Sequence, residues 1–186
     1  YANGDIYRGD FSHDELHGIG RLTFSPGSIL EEVYEGEFCR GVKHGRGVYV
    51  YPKGSGLVYD GDWEDGLRHG EGLLRFEDGS FYKGQFRKEK KHGTGCMVWA
   101  DGSQYLGKWV NNLRHGEGTL LHADKSIFKG QFWLDKKNGS GTLTSLDGNC
   151  YEGEWQDNQV VGTKGRFTLL TGLAHDDRVH LRVFGY

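Results

Sequence analysis

Seven times along the chain an aromatic residue is followed two positions later by glycine, and two positions after that by Phe or Trp. The openers are Tyr7, Tyr34, Tyr59, Tyr82, Tyr105, Phe128 and Tyr151, at spacings of 27, 25, 23, 23, 23 and 23 residues. The glycines behind them are Gly9, Gly36, Gly61, Gly84, Gly107, Gly130 and Gly153; the closing aromatics are Phe11, Phe38, Trp63, Phe86, Trp109, Phe132 and Trp155. A further glycine stands eleven residues after every opener, from Gly18 to Gly162. Self-similarity of this length marks a repeat architecture, in which one small unit is copied and stacked.

The stretch Tyr82–Gly102 shows the unit most fully. Its first segment alternates with period two and is rich in aromatics, which predicts a short strand carrying Tyr, Gly and Phe or Trp on one face. Its second segment, of the form G-x-G-x-L-x-F in Gly70, Gly72, Leu74 and Phe76, alternates in the same way. A loop of about five polar residues is expected between them, as in a β-hairpin. Asn3-Gly4, Asp78-Gly79, Asp101-Gly102 and Asp147-Gly148 supply turns into the next unit. Consecutive hairpins should continue one antiparallel meander, an all-β chain without helical periodicity. A glycine between two same-face aromatics leaves room for a ring from the neighbouring strand to lie on the backbone; the simpler alternative is that it only permits a turn.

Glycine is the commonest residue, with 32 copies, beside 2 prolines and 13% aromatics. So much glycine usually signals low complexity, but the aromatics and fixed spacing imply ordered β-structure instead. The net charge of −3 gives no global field toward nucleic acid. Cys39, Cys96 and Cys150 are odd in number and far apart, which suggests a reducing, cytoplasmic setting without a disulfide framework. No run reaches the ~18 apolar residues of a spanning helix. The first residues read like the tail of a preceding repeat, so a longer parent protein is expected.

Five histidines, His17, His44, His69, His92 and His115, share one place in successive units. Equivalent positions lie about 9.5 Å apart, whereas ligands of one zinc lie ~2 Å from the ion. They form a ladder and not a metal centre. Glu35, Glu37, Asp60, Asp62, Glu152 and Glu154 fall on the face opposite the aromatics, most simply the solvated side. No carboxylate pair or nucleophile stands out from the repeat background, and no helix follows the G-x-G elements as a dinucleotide site requires. No catalysis, metal or cofactor is expected.

The string Y-x-G-x-W/F followed by G-x-G, clearest in Tyr59–Phe76, Tyr82–Trp99 and Tyr105–His122, resembles the MORN (membrane occupation and recognition nexus) repeat. The resemblance covers roughly residues 1–170 and implies an elongated, twisted, single-layer antiparallel sheet with an aromatic-lined groove. About seven repeats fill 1–170, and 171–186 is left as a C-terminal strand, a cap or the start of a following segment. Within 171–186, Val179–Phe184 alternates like a strand. Two insertions, after Phe24 and after Tyr51, should lengthen turns only. Lys125 replaces a turn glycine, Asn138 replaces the ladder histidine, and the seventh unit slips its second glycine to Gly165.

On this basis the chain is expected to be a non-catalytic scaffold or adaptor whose groove takes an extended or helical segment of a protein partner. The groove residues would be Tyr59, Trp63, Phe76, Tyr82, Phe86, Trp99, Tyr105 and Trp109. The resemblance also implies cytoskeletal, ciliary or membrane-proximal settings, self-association into a homo-oligomer, and attachment to larger enzymes. One long edge carries the basic loop residues Arg40, Lys43, Arg68, Arg87, Lys88, Lys90, Lys91, Arg114, Lys136 and Lys137, and the turns of the other edge are acidic or neutral. Charged wet loops explain this simply. The alternative is an edge for anionic phospholipid or an acidic partner, built on Arg87, Lys88, Lys90, Lys91, Arg114, Lys136 and Lys137. A second asymmetry is an apolar stripe on the opposite face, from Ile6, Val33, Val58, Phe81, Ile127 and Cys150 with Val50, Val98 and Leu121. It either shields the turns or forms a second contact surface, to which Trp133 and Leu134 would add.

Overall fold

The computed structural model describes residues 4–169. Fourteen strands follow one another: β1 (Ile6–Ser12), β2 (Glu15–Phe24), β3 (Glu32–Cys39), β4 (Val42–Val50) and β5 (Val58–Glu64). Next come β6 (Leu67–Arg75), β7 (Phe81–Arg87), β8 (Lys90–Val98), β9 (Gln104–Val110) and β10 (Leu113–Leu121). The last four are β11 (Ile127–Trp133), β12 (Lys136–Thr144), β13 (Cys150–Gln156) and β14 (Gln159–Thr168). They form a single elongated sheet in which spatial order equals chain order. Every pairing is antiparallel, so each unit is a hairpin hydrogen-bonded to the next. Both insertions fall in turns, between β2 and β3 and between β4 and β5. The expected strand at Val179–Phe184, and the segment 171–186 around it, lie outside the described residues.

The turns inside the hairpins are tighter than the expected five residues. Glu64 pairs with Leu67 and Trp63 with Arg68, leaving Asp65-Gly66 alone to reverse the chain. Both turn residues take positive φ here (50° and 80°), as they do at Lys88-Glu89, Asn111-Asn112 and Leu134-Asp135. Two consecutive left-handed residues match the right-handed twist of the flanking strands, which is why such turns close hairpins. The turns between units are held by aspartate: the Ser80 and Ser103 amides and hydroxyls donate to Asp78 and Asp101, lowering both carboxyl pKa values. Lys125 keeps the left-handed position (φ 70°) that Gly79 and Gly102 occupy elsewhere, so the sixth turn survives its substitution.

A row of glycines crosses the sheet. Gly36 pairs with Gly47, Gly47 with Gly61, Gly61 with Gly72, Gly72 with Gly84, Gly84 with Gly95 and Gly95 with Gly107. Over each hairpin's two glycines lies the ring of its own opener. A Cβ on Gly72 would sit 2.5 Å from Tyr59 Cε2, and one on Gly61 would sit 2.5 Å from the Gly72 Cα. The packing role of these glycines is therefore real: the glycine of each second strand takes a ring from the paired strand, as Gly72 does from Tyr59, while the glycine between the two aromatics meets the opener of its own strand. The opener's hydroxyl completes the arrangement by donating to a backbone carbonyl, Tyr59 to Asp62 at 2.9 Å and Tyr82 to Gln85 at 3.0 Å. Phe128 does without this bond. In the seventh unit Gly165, one residue late, still lies against the Tyr151 ring.

The core is one side chain deep and continuous. Each opener meets the closing aromatic of its own unit and that of the next edge-to-face: Tyr82 touches Phe86 at 5.1 Å and Trp109 at 5.4 Å, with planes at 89° and 85°. Such geometry suits the ring quadrupoles. The same contacts run from Tyr34 to Trp155. Trp63, Trp109 and Trp155 anchor theirs by donating Nε1–H to the carbonyls of Gly47, Gly95 and Gly141.

Candidate functional site

The opposite face is mostly structural. The second strand of each of the first six hairpins holds two more residues than the first between the glycine row and the turn, and a left-handed glycine absorbs them (Gly45 φ 58°, Gly70 φ 54°, Gly93 φ 61°). The residue three after the opener braces this bulge: Asp10, Glu37, Asp62 and Gln85 accept the amides of Ile19, Arg46, Glu71 and Thr94 at 2.8–3.1 Å. Glu37 and Asp62 thus brace the sheet and are more than a solvated face, while Glu35 and Glu152 are exposed. The histidine ladder packs beside these bulges. His69 pairs with Glu64 at 2.8 Å, and the His115 ring meets Trp133 at 4.5 Å with the planes tilted by 48°. Among the described residues no three His, Cys, Asp or Glu groups converge as a metal site. The apolar stripe forms in register, Val33 with Val50, Val50 with Val58, Phe81 with Val98 and Leu121 with Ile127. Ile6 and Val50 are exposed within it.

On the aromatic face the eight expected groove residues separate by depth. Tyr59, Tyr82 and Tyr105 are fully closed to solvent, and Trp63, Phe86 and Trp109 nearly so. They are the floor's foundation. Phe76 and Trp99 remain half-open and pack against that floor, in line with Phe24 and Tyr51 from the two preceding units. Burial pushes the floor phenols up, Tyr105 to about 12 and Tyr59 and Tyr82 further.

The seven basic residues expected on one edge also separate. Arg87, Lys88, Lys90 and Lys136 are exposed near hairpin tips, and Lys136 pairs with Asp157 at 2.8 Å. Lys91, Arg114 and Lys137 instead belong to the aromatic face, joined there by Lys43 and Arg68. The short turn places each of them in register with a closing aromatic, Trp63 with Arg68 and Phe86 with Lys91, so the side chain reaches over rings. Lys43 Nζ lies 4.1 Å from the Trp63 centroid, Lys91 Nζ 4.3 Å from Trp109 and Lys137 Nζ 5.2 Å from Trp155. The guanidiniums of Arg68 and Arg114 lie 5.7 Å and 5.3 Å from Phe86 and Phe132.

A period of two repeats runs through these cations. Lysine always faces a tryptophan in the next unit, and arginine always faces a phenylalanine. The two classes also differ in their partner from the next turn. Arg68 Nε donates to Glu89 at 2.8 Å and Arg114 Nε to Asp135 at 3.1 Å, and both acids accept the arginine's own amide as well. In the lysine units that turn position holds Gly66, Asn112 or Asn158, and the asparagines accept only the amides of Lys91 and Lys137. Both arginines are neutralised. Among the described residues no carboxylate lies within ion-pair distance of Lys43, Lys91 or Lys137; Lys137 Nζ instead lies 3.3 Å from His122 Nε2. Burial over the rings depresses all three ammonium groups, Lys43 to about 8. The alternation Trp63, Phe86, Trp109, Phe132, Trp155 is visible in the sequence, and with the Lys/Arg alternation five residues further on it could have revealed this face.

The MORN repeat family matches the chain at residues 7–29, 34–56, 59–81, 82–104, 105–127, 128–150 and 151–162. No curated protein matches it significantly. Among solved structures the fold is similar to the SAS-4 (dCPAP) TCP domain of Drosophila melanogaster, in complex with a proline-rich motif of Ana2 (dSTIL). Sequence identity is 16% and the TM-score 0.50, over 84% of this chain and 81% of that one.

Proposed function

The chain belongs to the MORN-repeat family, whose repeats are non-catalytic, and from that premise we propose that it is a scaffold or adaptor seating a segment of a protein partner on its aromatic face. One observation carries this reading. Above a closed floor, Phe24, Tyr51, Phe76 and Trp99 form a half-open aromatic row flanked by cations. Rigid aromatic rings supply large contact area at low entropic cost. The proline-rich motif in the similar SAS-4 structure is consistent with such a role for this kind of sheet. No helix among the described residues is long and apolar enough to cross a membrane.

Selection of binders from a random peptide library tests the reading. Trp99→Ala and Phe76→Ala together are expected to weaken the selected peptides at least about tenfold, roughly 1.4 kcal/mol. Val98→Ser, on the other face, should leave affinity unchanged. Circular dichroism confirms that each variant stays folded. Undiminished binding by the folded double variant would exclude this face as the docking site.

A further inference from the structure

We propose that the aromatic face selects an extended acidic segment, in polyproline II conformation, whose carboxylates recur every six residues and pair with Lys43, Lys91 and Lys137. The inference rests on the docking reading above and names the chemistry of the partner.

Charge is the first argument. The face carries five cations over rings, but among the described residues only Arg68 and Arg114 have a carboxylate of the chain in direct contact. The lysines keep half-buried ammonium groups with no carboxylate in contact: Lys43 faces Glu89 and Glu32, Lys91 faces Asp135 and Lys137 faces Asp124 only at longer range, and Lys137 leans on His122. An unpaired, partly desolvated charge is costly, and a partner carboxylate supplies the missing counter-charge. The arginines, already paired, need none. Selectivity therefore follows the lysines alone.

Spacing is the second. Adjacent units of the sheet are two strands, about 9.5 Å, apart. A polyproline II helix turns once in three residues and advances about 9.3 Å. One turn thus matches one repeat, so every third residue of such a segment meets an equivalent half-open aromatic in Phe24, Tyr51, Phe76 and Trp99. Segments of this kind dock on aromatic-lined grooves because their backbone is already extended. The unpaired lysines recur every second repeat, about 19 Å, which is six residues of this helix. An α-helix would need about thirteen residues for the same advance and is about 10–12 Å wide, whereas the open row is a single line of rings.

Synthetic peptides of about eighteen residues, proline-rich and carrying three glutamates, provide the test by fluorescence anisotropy. One peptide places the glutamates six apart, a second of equal composition places them four apart, and a third replaces them with glutamine. The six-spaced peptide is expected to bind at least about tenfold more tightly than either control and to weaken with rising salt. Lys43→Gln/Lys91→Gln/Lys137→Gln should abolish that advantage, and Lys88→Gln/Lys90→Gln should keep it. Equal binding of all three peptides, lost in Trp99→Ala, would overturn the charge inference and leave the docking reading standing. Absence of any peptide binding, with phosphatidylserine vesicles bound through the three lysines, would overturn both.

Discussion

Gly95→Ala is expected to destabilise the array by about 2–4 kcal/mol, at or above the usual range for overpacking a core. The added Cβ would lie 2.5 Å from Tyr82 Cζ and 2.6 Å from Cε2. The ring cannot step aside, because Phe86 and Trp109 hold it edge-on and its hydroxyl is bonded to the Gln85 carbonyl. Nor can the backbone, since Gly84 on the paired strand is already at closest approach. Gly79→Ala is the control. It has φ 83° and open space around its Cβ position, so only the left-handed backbone opposes a side chain, at about 1 kcal/mol. In a repeat array the loss at Gly95 falls on one hairpin and its two interfaces. Urea denaturation followed by circular dichroism should therefore show a lower midpoint for Gly95→Ala than for Gly79→Ala, with a shallower transition if the halves uncouple. Equal midpoints would mean that the glycine row serves only conformation.

The openers, the glycine row and the meander were legible in the sequence because each depends on period-two alternation, which a strand converts directly into a face. Turn length was less legible. Lys88-Glu89 and Leu134-Asp135 carry no hairpin signal, and they adopt left-handed pairs because Arg87–Lys90 and Trp133–Lys136 are already paired by the strands. That two-residue turn decides everything about the cations. With a five-residue loop Lys91 would sit at a solvated tip; with two residues it enters the strand opposite Phe86 and covers the floor. The bulge was hidden for a related reason, since Asp62 looks like any exposed strand carboxylate until the Glu71 amide is seen against it. Depth was also beyond reach. A single-layer sheet suggests exposed rings, but edge-to-face stacking between successive units closes Tyr59, Tyr82 and Tyr105 completely.

Alkaline pH is expected to unfold this sheet abruptly above about pH 10, and the cause is the tyrosines of the aromatic face, most of them openers. Burial raises the phenols of Tyr34, Tyr49, Tyr59 and Tyr82 far above the ordinary value of 10.0, Tyr105 to about 12, and Tyr51 and Tyr151 more modestly. Below pH 10 both folded and unfolded chains keep these protons, and the stabilisation is whole. Above it the unfolded chain releases them while the folded chain holds them, so stability falls with each further rise in pH. A single such group contributes a slope of about 1.4 kcal/mol per pH unit, and several act together against a total of about 5–15 kcal/mol. Lys43, Lys91 and Lys137 act in the opposite sense. Lys43, lowered to about 8, makes the unfolded chain the better proton acceptor from about pH 8 upward, Lys91 and Lys137 act in the same direction, and stability should rise slightly there before it collapses. Phenolate absorbance and circular dichroism, recorded together, should change in one step for most of the 10 tyrosines. Tyr82→Phe, for which Phe128 is the native precedent, removes one titrating group and should move that step to higher pH while costing about 1 kcal/mol at neutrality through its lost hydrogen bond. Phenolate formation near pH 10 with the sheet signal intact would show instead that water reaches these rings, and that the floor is open.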